Sequence, residues 1–276
     1  MSEFTFYDLR QGYGKRDINV LFPGWRPGQE RVMVFSPHDD DGALGAGYAI
    51  AACQAHGGTV YVCIFCDGSA GYSQVEQKDT IVTTRREESI RAYGLLGIDE
   101  EHLTHLGYPD FSLVSYMGWK LSSGHKGTLQ RVVELLREQR ITRLLIPNGY
   151  REHSDHEAAY NVGRYDGVQA GDPVGADWGL LTEIKSTLQY AVWSDFSPED
   201  ALLYGAHVGK QADVHIRANR AIVADYDLEE TIGRALAQWE SQGQIIEGLL
   251  EQRRERDCGQ GMIELYIDLD PRPRLP

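Results

Sequence analysis

Cysteine is scarce in this chain: Cys53, Cys63, Cys66 and Cys258 are the only four in 276 residues. That scarcity excludes a disulfide framework of the kind that staples small secreted folds. No run of about 18 apolar residues occurs, which excludes a helix able to span a bilayer. Positive charge is in deficit, with 27 Lys and Arg against 41 Asp and Glu for a net charge of −14. Such a balance opposes binding to nucleic-acid phosphates and to anionic membrane surfaces. The opening residues carry no basic stretch followed by an apolar one, so a cytoplasmic chain not exported by a cleaved signal is expected. Internal repeats, low-complexity tracts, a Walker lysine motif and a complete GxGxxG are all missing, and Leu44-Gly45-Ala46-Gly47 is only a fragment of the last.

What is present reads as α/β. The length can bury a large core, and a single domain over residues 1–276 is expected, with 1–30 as a turn-rich surface lead-in. Val32-Met33-Val34-Phe35 reads as a fully buried strand over 31–36, followed by a helix of small residues over 43–56. Gly57-Gly58 breaks that helix before a strand at 59–66, and right-handed crossover makes the two strands parallel neighbours. Cys63 and Cys66 lie inside this strand with CxxC spacing. They would point to opposite faces, so they read as core residues and not as a redox or zinc pair. A helix over 74–96 and a strand at 102–106 repeat the unit, and a helix over 129–140 and a strand at 143–147 extend it. Further elements are a helix over 157–164, strands at 188–193 and 222–226, a helix over 227–256 and a strand at 262–268. The expected fold class is therefore a Rossmann-like, mostly parallel sheet flanked by helices. Long loops at 107–127 and 165–187 carry aromatic residues, and 165–225 is expected to act as a substrate-loop region.

Chemistry concentrates at two strand ends. His38-Asp39-Asp40-Asp41 follows the strand at 31–36, and Glu152-His153-Ser154-Asp155-His156 follows the strand at 143–147. Parallel strands bring such turns to one edge of the sheet. Carboxylates crowded beside imidazoles repel one another unless a cation is shared among them. A catalytic zinc needs three nitrogen or oxygen ligands and one open position, and His38, Asp41 and His156 would supply them for one Zn2+ per chain. Asp40 is then the candidate general base, and His153, held by Asp155, the stabiliser of a developing oxyanion.

These residues carry a resemblance. Pro37-His38-Asp39-Asp40-Asp41 with Leu44-Gly45-Ala46-Gly47 resembles the PHPDD-x-x-LG-x-G opening of the PIG-L/LmbE-like zinc deacetylases, and His153-Ser154-Asp155-His156 resembles their HxDH motif. Asp67-Gly68, Arg85, Glu88, Ala92, Leu96-Gly97, Ala235-Leu236 and Ser241-Gln242 echo the same family in order along residues 31–245. The resemblance implies a Rossmann-like fold and hydrolysis of an acetamide, typically on a glucosamine-containing small molecule, with zinc on His38, Asp41 and His156. It implies Asp40 as base, His153 as electrostatic stabiliser and Asp155 as the residue orienting it. Arg85 and Asp110 match positions that touch substrate in some members, and Trp119 and Trp178 are the aromatic candidates for stacking on a sugar ring.

Three departures stand out: Asp39 replaces the family's proline, Gly42 its usual glutamate, and Tyr48 the second glycine of its usual GG. Asp39 should point away from the metal. The same fold also hosts amidases of thiol conjugates and a hydratase of unsaturated acids, and a carbohydrate-binding protein with a relic site is the non-enzyme alternative. Binding alone would need neither Asp40 nor His153. The partner expected is a small N-acylated substrate, not nucleic acid or membrane, and a homo-oligomer is compatible with the sequence.

Overall fold

The computed structural model describes residues 3–193, 196–198 and 217–269. In chain order the strands of its main sheet are β1 (Phe4–Asp8), β2 (Tyr13–Lys15), β3 (Arg31–Ser36), β4 (Thr59–Cys66), β5 (Leu103–Tyr108), β6 (Arg143–Pro147), β7 (Ser186–Tyr190), β8 (Arg220–Ala224) and β9 (Met262–Leu269), and Ser197–Pro198 pairs with Arg217–Ala218 apart from it. The helices are α1 (Asp41–Ala55), α2 (Ile81–Leu95), α3 (Thr128–Glu138), α4 (Ser154–Asn161), α5 (Tyr226–Leu236) and α6 (Gly243–Arg254). None of these helices is long and apolar enough to cross a membrane.

The strands form one mixed sheet in the order β2-β1-β8-β9-β7-β6-β3-β4-β5. From β7 to β5 every neighbouring pair is parallel. β9, β8, β1 and β2 extend the β7 side in antiparallel fashion. The chain steps outward one way through β3, β4 and β5 and the other way through β6 and β7. The turns after β3 and β6 therefore diverge, and the crevice between them is where open α/β sheets bind ligands. The Rossmann-like fold class read from the sequence is borne out.

Both faces of β3 are covered, which is why its apolar run is continuous. Val32 and Val34 pack in one core with α1, Tyr93 of α2 and α5, whereas Met33 and Phe35 pack in another with α3 and α4. Gly45 permits the closest approach of α1 to the sheet: a Cβ there would stand 2.4 Å from the Tyr190 ring and 2.5 Å from the Ala191 carbonyl oxygen. Cys63 and Cys66 are buried core residues on β4, as read, but they enter the same core and not opposite faces, because the register shifts at a bulge between Ile64 and Cys66.

Several boundaries differ from expectation. The 1–30 segment is more than a surface wrap: β1 and β2 build the far edge of the sheet, and Phe4, Phe6, Leu21 and Phe22 are buried. The alternation in Phe4-Thr5-Phe6-Tyr7-Asp8 was the available signal. α2 begins at Ile81, not 74. The helix expected over 227–256 is two, because residues 237–242 leave the helical path and send Trp239 and Ser241 inward to acidic partners. The 165–187 loop is stitched to α3 by Arg137, whose guanidinium donates to the carbonyls of Gln169, Ala170, Asp172, Val174 and Gly175. Of the expected 165–225 substrate-loop region, residues 194–195 and 199–216 lie outside the described residues.

One buried ion cluster ties the amino ends of the parallel strands together. Glu30, just before β3, accepts from Thr142 Oγ1 (2.6 Å), Arg143 Nε (3.1 Å) and Lys185 Nζ (3.0 Å), at the starts of β6 and β7. Burial pushes its carboxyl up, but these donors outweigh that and hold it at about 2, below its ordinary 4.5. A depressed carboxylate contributes stability above its unfolded value and loses it as pH falls. About 3 kcal/mol should therefore disappear between pH 4.5 and about 2. Glu30→Gln should be less stable at neutral pH and flatter across that window in urea denaturation. Parallel wild-type and variant curves would refute the assignment.

Candidate active site

Local structure delivers the two clusters to the crevice. After β3 the chain turns through Pro37–Asp40, and Asp41 is the first residue of α1, where the helix dipole favours a carboxylate. After β6 the chain enters α4 at its N-cap, His153, so Asp155 and His156 lie in the first turn. Asp41 and His156 are almost completely buried.

Three ligand-type atoms from the two turns meet. His38 Nδ1 and His156 Nε2 each lie 3.1 Å from Asp41 Oδ2, and 3.4 Å from each other. Tetrahedral coordination at roughly 2.0–2.1 Å requires ligands about 3.3 Å apart, so the triangle matches a zinc-type site with one open face. Two other groupings contain His38: Cys66 with Asp110, and His153 with Asp155. They fit less well. Both oxygens of Asp110 already accept from Gly68 and Ala70 N–H groups (2.9 Å each), and burial pushes the Cys66 thiol far up, keeping it protonated. Asp155 is likewise occupied, by the N–H groups of Phe111 (2.6 Å) and Leu113 (3.1 Å).

A second layer orients the first. Glu152 Oε2 lies 3.1 Å from His156 Nδ1 and accepts from the Trp193 N–H at 3.0 Å. Asp155 Oδ2 stands 3.4 Å from His38 Nε2 and 3.5 Å from His153 Nδ1. It thus backs a ligand-type histidine as closely as it backs His153. Carboxylates behind ligating imidazoles fix their orientation and raise their basicity. Glu152 was the residue that the sequence reading passed over, although its i,i+4 spacing to His156 was the available signal.

Electrostatics follow from the crowding. Burial would lower His38 and His156, but Asp155 and Asp41 for the former, and Asp41 and Glu152 for the latter, raise them to about 10 and about 9. Asp41 is held well below its usual range by the two imidazoles despite burial. Burial raises Asp40 to about 7; the charges of Asp41 and Asp39 add to the effect and Arg85 opposes it. Burial, then His38, lowers His153.

The site opens into a cavity of about 190 Å3 lined by His38, Asp40, Asp41, Arg85, Asp110 and His153, with Leu44, Phe111, Trp193, Ile245 and Leu249 as apolar wall. Asp40 and His153 thus share the cavity with His38 and Asp41, two corners of the triangle. Asp39 turns away from it, as expected, onto Arg85 and the Trp239 indole N–H (2.8 Å). Arg85 does not pair with Glu88, which instead accepts from Ser241. Trp119 and Trp178 are not brought to the cavity: they pack edge to face on each other at 5.8 Å, and Trp119 donates to Gln130 of α3. The aromatic groups at the mouth are instead Phe111, 4.3 Å from the His153 ring, and Trp193, 5.4 Å from His156. Phe111 adopts φ +60°, a strained conformation for an aromatic residue, held by its N–H bond to Asp155.

The family model described as PIG-L, GlcNAc-PI de-N-acetylase, matches residues 33–165, a span that contains both clusters. The resemblance read from the motifs is borne out. No curated protein matches in sequence. Among solved structures, N,N'-diacetylchitobiose deacetylase from Pyrococcus horikoshii is similar at 17% identity over 87% of this chain and 84% of that one, with a TM-score of 0.65. The 4-carboxy-2-hydroxymuconate hydratase GalB from Pseudomonas putida KT2440 also reaches 0.65, at 16% identity over 89% of this chain and 98% of that one. A deacetylase of the teicoplanin biosynthesis pathway reaches 0.55, at 18% identity over 87% and 99%. At these identities the likeness is one of fold.

Metal analysis tests the triangle. His156→Ala should strip bound metal after dialysis, whereas Asp40→Asn should retain it. Glu152→Gln should weaken metal affinity by about 10–100-fold. Equal metal content in wild type and His156→Ala would sink the assignment.

Proposed function

We propose that this chain, which carries the PIG-L family pattern over residues 33–165, is a metal-dependent hydrolase that removes an N-acetyl or other N-acyl group from a small sugar-type substrate. The observation that supports this most is the triangle of His38, Asp41 and His156, whose His38 and Asp41 line one cavity with Asp40. Those three residues would hold one zinc ion. When bound, such an ion polarises an amide carbonyl and makes a neighbouring water more acidic.

The protein's own groups do the rest. Asp40 takes a proton from the attacking water and hands it to the departing nitrogen, so water adds to the acyl carbon, the C–N bond breaks, and a carboxylic acid and an amine leave. His153 Nδ1 accepts the Asp155 N–H at 3.2 Å, which leaves its ring proton on Nε2 for the oxyanion that forms on the acyl carbon. Asp155 holds His38 through its carboxylate and His153 through its backbone N–H, and Glu152 holds His156. Phe111 and Trp193 offer flat apolar faces at the mouth, suited to the hydrophobic side of a sugar ring.

A second reading, addition of water to an unsaturated acid, draws on the fold shared with the hydratase. The lining disfavours it: among the described residues Arg85 is the one guanidinium there, and its pairing with Asp39 leaves it little charge to hold a carboxylate substrate beside Asp40, Asp41 and Asp110. Likeness in fold to the two deacetylases supports the first reading.

Acetate release from a panel of neutral N-acetylated sugars decides the matter. Release should stop with chelator and return with zinc, and the absence of release from every member in the zinc-loaded protein would refute the reading. Trp193→Ala and Phe111→Ala should each lower kcat/KM by about 0.5–1.5 kcal/mol equivalent. Trp119→Ala and Trp178→Ala should instead lower Tm and leave kcat/KM per folded molecule unchanged.

A further inference from the structure

Arg85 carries the one guanidinium among the described residues lining the site cavity, and it is already engaged. Its Nη2 pairs directly with Asp39 Oδ1 and lies 3.6 Å from Asp40 Oδ1. Asp39 and Arg85 are both about 95% buried, and the other oxygen of Asp39 accepts from the Trp239 indole. The Gly68–Gly71 loop closes over the guanidinium: a Cβ on Gly71 would come within 2.2 Å of Arg85 Nη1, and one on Gly68 within 2.9 Å of its Nε. Arg85 is thus clamped from two sides, and its charge is cancelled within the wall that bears it.

We propose that Asp39 is a specificity-determining residue that cancels the Arg85 charge and so restricts the cavity to neutral or cationic substrates, excluding phosphorylated or carboxylated ones. The claim about substrate rests on the amide-hydrolase reading above; the claim about anion exclusion does not. Asp39 and Arg85 together contribute no net charge, so the wall offers an anion no uncompensated guanidinium. Removing the Asp39 charge adds one positive charge next to the cavity. Removing Arg85 as well takes it away again. A proline, which the family has at this position, would accept no hydrogen bond from either Arg85 or Trp239 through its side chain.

The test uses inorganic phosphate as the probe, titrated calorimetrically into zinc-loaded wild type, Asp39→Asn, and the Asp39→Asn/Arg85→Gln double variant, with Tm recorded for each. Asparagine keeps an acceptor for Trp239, so the clamp can persist without its charge. Phosphate should bind Asp39→Asn about tenfold more tightly than wild type, the equivalent of about 1.4 kcal/mol, and the double variant should return to the wild-type value. A purely structural Asp39 would lower Tm and leave phosphate affinity unchanged in all three proteins, which would overturn the proposal. Should Asp39→Asn not fold, Arg85→Gln alone carries the test: exclusion by a cancelled charge predicts still weaker phosphate binding, and unchanged binding overturns it. In the catalytic arm, the kcat/KM ratio for N-acetylglucosamine 6-phosphate over N-acetylglucosamine should rise about tenfold in Asp39→Asn. An absence of turnover for both sugars in all variants defeats the hydrolase reading, while the phosphate titration still decides the role of Asp39.

Discussion

Negative charge gathered at the carboxyl ends of β3 and β6 is the constraint to which the surrounding structure answers. Asp39, Asp40, Asp41, Glu152 and Asp155 converge there, nearly all of them buried. Buried like charges cost several kcal/mol unless each finds a partner. The chain meets that cost by several devices. Asp41 sits at a helix start between two imidazoles, Asp155 takes backbone N–H groups at Phe111 and Leu113, and Glu152 takes those of Val192 and Trp193. Asp39 takes Arg85 and Trp239. What is left over is a demand for positive charge among His38, Asp41 and His156, which a divalent cation would meet in the same place as protons.

Much of the architecture around this constraint follows from it. Phe111 is forced to φ +60° because its N–H serves Asp155, and that turn aims its ring at His153. Residues 237–242 leave the helix because Trp239 and Ser241 are drawn to Asp39 and Glu88. Helix propensity over a stretch like 227–256 is worth tenths of a kcal/mol per residue, whereas a buried carboxylate without a donor costs more, so the tertiary demand wins.

This balance also explains what could be read in advance. Continuous apolar runs such as Val32–Phe35 and Leu144–Ile146 announce strands covered on both faces, and β3, β4 and β6 appeared where those runs stood. His38, Asp40, Asp41, His153, Asp155 and His156 were legible because two strand ends carried them at matching places. Trp193 and Phe111 were not. Their roles depend on where the chain returns in space, and an aromatic residue in a loop reads the same whether it faces a cavity or, like Trp119, another tryptophan. The helix break at 237–242 escaped for the same reason: its cause, Asp39, lies 200 residues away.

The departures from the family motif belong together when traced to their partners. Asp39 binds Trp239, which stands between α5 and α6. Tyr48, in place of a glycine, sends its hydroxyl to Glu229 of α5, and its backbone N–H donates to Glu264 at 2.8 Å. Arg253 of α6 joins the same group, bonding Glu229 at 2.7 Å, Glu264 at 3.3 Å and the Leu44 carbonyl at 2.6 Å. At Gly42 a Cβ would stand 2.7 Å from the Tyr93 hydroxyl oxygen, so no glutamate side chain fits there without moving Tyr93. Two of the three departures thus face α5, α6 and β9, beyond the 33–165 span of the family match. That C-terminal segment also supplies Gln242, Ile245 and Leu249 to the cavity. The motif positions that distinguish this chain and the wall of its cavity are therefore one packed unit. Restoring the family residues at 39 and 48 alone would leave the buried Trp239 indole N–H without its acceptor and take the Tyr48 hydroxyl from Glu229, while Glu229 and Arg253 would keep each other.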